Sequence, residues 1–225
     1  MASKNKNLSS FASETPNGKD AFIAIVVAEW NQKVTFALRD GAIATLKKAG
    51  VKKENIQIYQ VPGSYELPYA AQTILQNYNV DGVICIGCVI QGETPHFDFI
   101  CDAVAKGCMD VQLASKRPVI FGVLTTLNQE QAEDRAGGKH GNKGAEAAHT
   151  LLKMIELTNH CQENGDRDPL LDSINGPLGS LLLQSAMVND DEADFDFDLE
   201  QDVEEEDDSY FGKGKKVELK PKKKK

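Results

Sequence analysis

No apolar run in these 225 residues approaches the roughly 20 needed to span a bilayer. Residues 1–19 are polar and lack the apolar stretch of a secretory signal, so a cytoplasmic protein is expected. Cysteine is sparse. Cys85, Cys88, Cys101, Cys108 and Cys161 sit mostly in apolar runs, which reads as reduced, packed thiols rather than a disulfide framework. The body also lacks an excess of either charge. Residues 1–160 hold 16 Lys+Arg and 16 Asp+Glu, so no nucleic-acid partner is expected. All of the net charge of -9 lies after His160, where 9 basic and 18 acidic residues remain.

One motif invites a metal or redox reading. Cys85-Ile-Gly-Cys88 is a CxxC. It lies inside "GVICIGCVI", however, and in a strand residues three apart point to opposite faces. Two such thiols neither chelate one ion nor pair, so packing is the expected role and no metal site is assigned.

Strand and helix patterns alternate along the chain. Ala21–Asn31 reads as a β-branched strand, and a helix follows from Gln32 with Lys47 and Lys48 in its last turn and Gly50 as its stop. Asn55–Val61 alternates as a strand, 66–78 reads as a helix, and Gly82–Ile90 is a strand apolar on both faces. Phe97, Ile100, Cys101, Val104, Cys108 and Val111 recur at helical spacing. Arg117–Thr126 is a fourth strand. A short helix near 129–135, a Gly-rich kink at 136–144 and a last helix near 145–158 complete the pattern. Strands apolar on both faces, alternating with helices, predict a parallel sheet covered on both sides. The expected organisation is a flexible leader at 1–19, one domain at 20–160, and a tail at 161–225. The tail is acidic at 189–208, then Lys-rich, with at best one short helix near 178–187.

Ligands of open parallel sheets bind beyond the carboxyl ends of the strands. The residues just past each strand are therefore informative. After the first come Trp30 and Asn31, after the second Gly63, Ser64, Tyr65 and Glu66. After the third come Gln91, Gly92, Glu93, Thr94, Pro95 and His96; after the fourth come Thr125, Thr126 and, further on, Arg135, Lys139 and Lys143. An aromatic face, a carboxylate, an imidazole, hydroxyls and cations at one edge suit a flat polar ring, a polyol and a phosphate. Each has a plainer alternative: Trp30 as a roof over the core, Glu66 as a solvated first-turn acid, Thr94 as an N-cap, His96 as a surface histidine, Arg135 as a helix C-cap. Their joint placement favours the site.

The segments "AEWN", "VPGSYELP", "GCVIQGETPHFDFIC", "PVIFGVLTT" and "EQAEDRAGGKHGNKGAEAA" resemble those of the 6,7-dimethyl-8-ribityllumazine synthase family, over about residues 15–158. The resemblance implies a three-layer α/β/α, flavodoxin-like fold with a four-stranded parallel sheet. It implies condensation of 5-amino-6-(D-ribitylamino)uracil with 3,4-dihydroxy-2-butanone 4-phosphate, the penultimate step of riboflavin biosynthesis, with no cofactor. Carried over by position, Trp30 would stack on the pyrimidine, while Ser64, Tyr65 and Glu66 hold that substrate and its ribityl chain. The backbone of Cys88, Val89 and Ile90 would read the ring edge. Glu93, Thr94 and Arg135 would hold the phosphate, with Lys143 as a further substrate-binding residue, and His96 would be the general acid/base. Phe121, mid-strand, would serve a neighbouring subunit's site, as would Arg135. The resemblance implies a homo-oligomer, a pentamer, and the short Gly-rich segment matches members that close a sixty-subunit icosahedral shell. Two residues depart from the commoner pattern: Gln91 replaces an Arg, and Trp30 replaces a Phe.

Two other readings compete. A shell that only binds lumazine or flavin would need no proton carrier such as His96. A nucleotide binder of the same layered kind would carry a glycine-rich loop after its first strand, but "AEWNQKVT" has no glycine. For the tail, a chain ending near residue 160 is expected to keep both lumazine formation and native assembly size. Loss of either, by product absorbance or light scattering, would show that the tail takes part.

Overall fold

The computed structural model describes Asn7, Phe11 and residues 14–164. The stretches expected to be an acidic and Lys-rich tail with a short helix near 178–187 lie outside the described residues. Four parallel strands form one sheet in the order β2-β1-β3-β4: β1 Ile23–Ala28, β2 Ile56–Val61, β3 Gly82–Ile90 and β4 Val119–Thr126. The helices are α1 Gln32–Lys48, α2 Leu67–Asn77, α3 His96–Ser115, α4 Gln129–Asp134 and α5 Lys143–Asn164. This is the three-layer α/β/α arrangement.

The two central strands explain the layers. Every residue of β1 is buried, as are Gly82–Cys88 of β3. Side chains alternate between the faces. Ile23, Ile25, Val27, Ile84, Ile86 and Cys88 therefore pack with α1, α5 and Ala132 of α4. Ala24, Val26, Val83 and Cys85 pack instead with α2 and α3. Each fully buried Ile or Val contributes about 1.5–3 kcal/mol of transfer free energy. Cys85 and Cys88 thus stand in different cores, as the spacing of two strand residues three apart requires.

Local signals fixed most boundaries. Gly50 follows α1 at φ 91, where a side chain is disfavoured. Three expectations need adjustment. The Gly-rich kink is a small antiparallel hairpin, β5 Ala136–Gly138 with β6 Gly141–Asn142, turning through positive φ at Gly137 and Gly141. α5 begins two residues earlier than expected and runs six further, to Asn164. Part of the leader expected to be flexible lies against the domain in this structure. The Phe11 ring stacks on His149 at 4.1 Å, Thr15 Oγ1 is 2.9 Å from His149 Nδ1, and Gly18 N donates to Ala49 O. Burial, helped by nearby Lys153, lowers the His149 pKa.

α5 is fastened to α1 at its first turn. Asn142 Oδ1 accepts from the N–H groups of Gly144 and Ala145, while its Nδ2 donates to Ala37 O at 2.9 Å. The helices cross so closely that a Cβ on Gly144 would lie 1.8 Å from Leu38 O. Gly144→Ala must push the helices apart. The expected loss is about 3 kcal/mol, a melting temperature lower by roughly 6–12 °C. An unchanged melting curve would contradict this packing.

Candidate functional site

The carboxyl ends of β2, β1 and β3 adjoin, and the sequence-predicted residues gather there. Beyond β1 the chain stays beside β2: Glu29 N donates to Val61 O and Trp30 N to Pro62 O. This holds Trp30 outward, 67% exposed, so it does not roof the core. The indole rests on Gly63, where a Cβ would come within 2.7 Å of Trp30 Cε3. A larger residue there would have to displace the ring. Gly63 N in turn donates to Glu66 Oε2 at 3.0 Å, so the Glu66 carboxylate is oriented by the turn it follows. Ser64 is buried against Gly87 of β3, whereas Tyr65 is 59% exposed beside the crevice.

At the end of β3 the Cys88 carbonyl accepts from Asn31 Nδ2 at 2.9 Å, and Gln91 N donates to Thr126 O of β4. Cys88 O is therefore turned toward β1 and Gln91 N toward β4. Backbone groups alternate along an extended strand, so those of Ile90 also face the β1 side, into the crevice. Val89 and Ile90 are half-buried, and Gln91, Gly92, Glu93, Thr94, Pro95 and His96 are all exposed. α3 starts at His96 behind Pro95, whose side chain makes no cap. Thr94 is thus not the N-cap: the fixed ring of Pro95 takes that position, and the Thr94 hydroxyl stands free of that duty. The first-turn amides and His96 open on the same lip.

The remaining predicted residues lie elsewhere in the chain. Arg135 ends α4, and its Nη1 donates to Gln131 O at 2.9 Å, so the cap reading holds for one nitrogen of the fork. Ala132 and Ala136, on either side of it, belong to the α1/α5 core, while α3 packs on the opposite face of the sheet. One chain therefore sets Arg135 and His96 over opposite faces. Lys143 pairs with Glu146 of its own helix, and its N–H donates to Arg135 O. Lys139 is exposed on the hairpin. Phe121 sits opposite Cys85 in the middle of β4, about 16 Å short of the strand end at Thr126, and packs on the α2/α3 side. A groove lined by Asp20, Asp81, Leu152, Glu156 and His160 lies at the amino-terminal edge, the length of the sheet away from these residues.

A family model described as 6,7-dimethyl-8-ribityllumazine synthase matches residues 20–159. The chain belongs to the 6,7-dimethyl-8-ribityllumazine synthase family. It is 57% identical over 158 residues to a 6,7-dimethyl-8-ribityllumazine synthase of Cytophaga hutchinsonii, covering 70% of this chain and 99% of the relative. It is 52% identical over 158 residues to that of Porphyromonas gingivalis, covering 70% and 98%. A Flavobacterium johnsoniae lumazine synthase is 45% identical over 193 residues, covering 85% and 96%. A match spanning 85% of the chain cannot fit within its first 164 residues, so this similarity continues into the tail.

In this lumazine synthase chain the thiols near the site are inert. Burial pushes Cys88 up to about 11. The neighbouring Cys108 thiol, then burial, raises Cys85 well above its ordinary value. Both therefore stay neutral at physiological pH and fill space. Among the described residues no His, Cys, Asp and Glu group has the makings of a metal site. Sequence reasoning missed two supports: Gly63 as the seat of the indole, and the Asn31 bond to Cys88. The signal for the first was a glycine just before "SYE"; for the second, an Asn between a strand and a helix. With an alkylating thiol reagent at pH 7.5, exposed Cys161 should react first. Cys85 and Cys88 should react only on unfolding, because the thiolate is the nucleophile and Cys88 forms it only as the pH nears 11. Fast labelling of Cys88 in folded protein would refute this burial.

Proposed function

We propose that this chain is a transferase that condenses 5-amino-6-(D-ribitylamino)uracil with 3,4-dihydroxy-2-butanone 4-phosphate. The products are 6,7-dimethyl-8-ribityllumazine, phosphate and water, at the penultimate step of riboflavin biosynthesis. One observation carries the reading. In a chain of this family, an outward indole, a turn-oriented carboxylate and an exposed Thr94-Pro95-His96 lip meet at the carboxyl edge of the sheet.

The chemistry is set by the two substrates. The pyrimidine amine attacks the butanone carbonyl to give an imine and one water, phosphate is eliminated, the second amine closes the ring onto the remaining carbonyl, and a second water leaves. Nothing in these steps needs a redox cofactor. The chain supplies position, charge and a proton carrier. Trp30 offers a face for offset stacking on the pyrimidine. Ser64, Tyr65 and Glu66 hold the ring and its ribityl chain, and the Ile90 backbone meets the ring edge beside Cys88, the Val89 backbone facing β4 instead. Glu93, Thr94 and the first amides of α3 receive the phosphate, with Arg135 and Lys143 as its cations. Arg135 matters the more because Gln91 supplies no charge there. His96 moves protons between the amine, the carbonyl oxygen and the departing water.

The site is shared between subunits in this proposal. Phe121 lies too far from its own strand end, and Arg135 lies over the opposite sheet face from His96. Each then completes the site of a neighbour. The outer face of α3 supports such an assembly, since Phe99 is 72% and Leu113 68% exposed, with Met109 between them. The assembly is a pentamer, and the short Gly-rich segment favours closure of pentamers into an icosahedral shell. The enzyme works in the cytoplasm. No helix among the described residues is long and apolar enough to cross a membrane.

The test is to mix the protein with both substrates and follow lumazine absorbance and phosphate release. The wild-type rate should exceed the uncatalysed rate by orders of magnitude. His96→Ala should lower kcat by about 10²-fold without reaching background, because positioning survives the loss of the proton carrier. Arg135→Ala should raise KM for the butanone phosphate and leave that for the pyrimidine unchanged. A background rate from correctly assembled wild-type protein would leave a shell that binds lumazine or flavin without making it.

A further inference from the structure

We infer that Asn31 is a positioning residue for the pyrimidine, a strap that fixes the Trp30 indole relative to the Cys88–Ile90 backbone; the inference rests on the proposed function above.

Asn31 adopts φ 58 and ψ 41, the left-handed region. Besides glycines, only Asn31 and Lys116 do so among the described residues. That conformation costs an L-residue about 1–2 kcal/mol, and Asn tolerates it best. Glycine would avoid the cost, so the side chain needs a reason. The reason is its bond to Cys88 O, formed across 57 positions of sequence.

The bond closes a gap in the sheet. The paired positions of β1 and β3 end at Val27 and Ile86. Two residues further along β3, the Cys88 carbonyl still faces β1, where the chain has turned away toward α1. Asn31 Nδ2 reaches back and takes that carbonyl. The same residue's carbonyl accepts from Val34 N at 2.8 Å and Thr35 N at 3.1 Å, fixing the start of α1. Trp30 is held from the other side by its N–H on Pro62 O. The indole is thus clamped between a bond to the end of β2 and a bond to the end of β3.

Such a clamp matters for this substrate geometry. A ring stacked on Trp30 also has to meet the Ile90 backbone with its edge. Both contacts form together only if platform and edge keep a fixed separation, and a slip of about 1 Å is costly to rate and binding. The other groups at the lip, Thr94, His96 and the α3 amides, do not depend on this strap. Its loss should therefore fall on one substrate and spare the other.

The test compares Asn31→Gly and Asn31→Asp in the full-length protein. Glycine relieves the backbone strain and removes the strap. Aspartate keeps the size and the tolerance for positive φ but sets an acceptor against the Cys88 carbonyl. Both variants should raise KM for the pyrimidine about 5–20-fold and leave KM for the butanone phosphate within about twofold. The glycine variant should keep the wild-type melting temperature within a few degrees. Trp30 is the only Trp, so its emission reports the platform alone. In both variants the emission should shift, and quenching by the pyrimidine alone should need more ligand. An unchanged pyrimidine KM with unchanged emission would overturn the strap. So would an equal rise in both KM values alongside a fallen melting temperature, which marks a general structural role. If wild-type protein neither binds nor converts the pyrimidine, the proposed function fails. The strap is then decided by Trp30 emission and by amide exchange at Cys88–Ile90: faster exchange in Asn31→Gly supports it, and unchanged exchange overturns it.

Discussion

The molecule depends on the seam between β1 and β3. Both strands are apolar on both faces, and both are sealed by helix layers. Such strands hold their backbone groups in ladders and leave no water in the sheet. They offer no place for polar chemistry along their length. Chemistry is forced to where the strands end, because there the ladder stops and carbonyls and amides must find other partners. The seam ends at Val27 and Ile86, and the chain answers with a side chain, Asn31, in place of backbone. Trp30, Gly63, Glu66 and the β3 exit are all arranged around that ending.

The same constraint sets which of the candidate residues one chain brings together. The residues over the crevice come from β1, β2 and β3, which adjoin. β4 lies beyond β3, so the residues after it reach the edge from farther off: Arg135 through α4 and Lys143 through the hairpin. Phe121 never leaves the body of the sheet. The chain therefore leaves an indole and an apolar face of α3 exposed, and under the proposed function a neighbouring subunit supplies the missing groups. Lys143, tied to Glu146, shows that a cation near the edge is not by itself free to bind phosphate. The Arg135 fork keeps donors beyond the one spent on Gln131 O, as the phosphate role proposed for it requires.

The thiols illustrate how burial sets chemistry. Cys88 stands at the exit of β3 beside the candidate site, yet its side chain points into the α1/α5 core and stays protonated. Its carbonyl accepts from Asn31 while its sulfur fills volume. A CxxC motif in this setting is two packing residues on two faces of one strand.

The amino-acid sequence by itself determined the strand and helix order, the two-faced burial of β3, the stop at Gly50, and the set of polar residues beyond each strand. These are local properties: hydrophobic period, glycine φ, and proline. Two local readings, and the plainer alternative for Thr94, failed for physical reasons. Thr94 has the chemistry of a cap, but Pro95 fixes the entry to α3 one residue later. Residues 136–142 are glycine-rich, so side-chain pattern gave no sign of a hairpin. The last turns of α5 are exposed and polar, so no apolar period marked their end. Only the tertiary structure decided that Asn31 reaches Cys88, that Trp30 rests on Gly63, and that Arg135 and His96 lie over opposite faces. Those relations join residues tens of positions apart. Sheet register and layer packing create them, and no pattern within a short window carries that information.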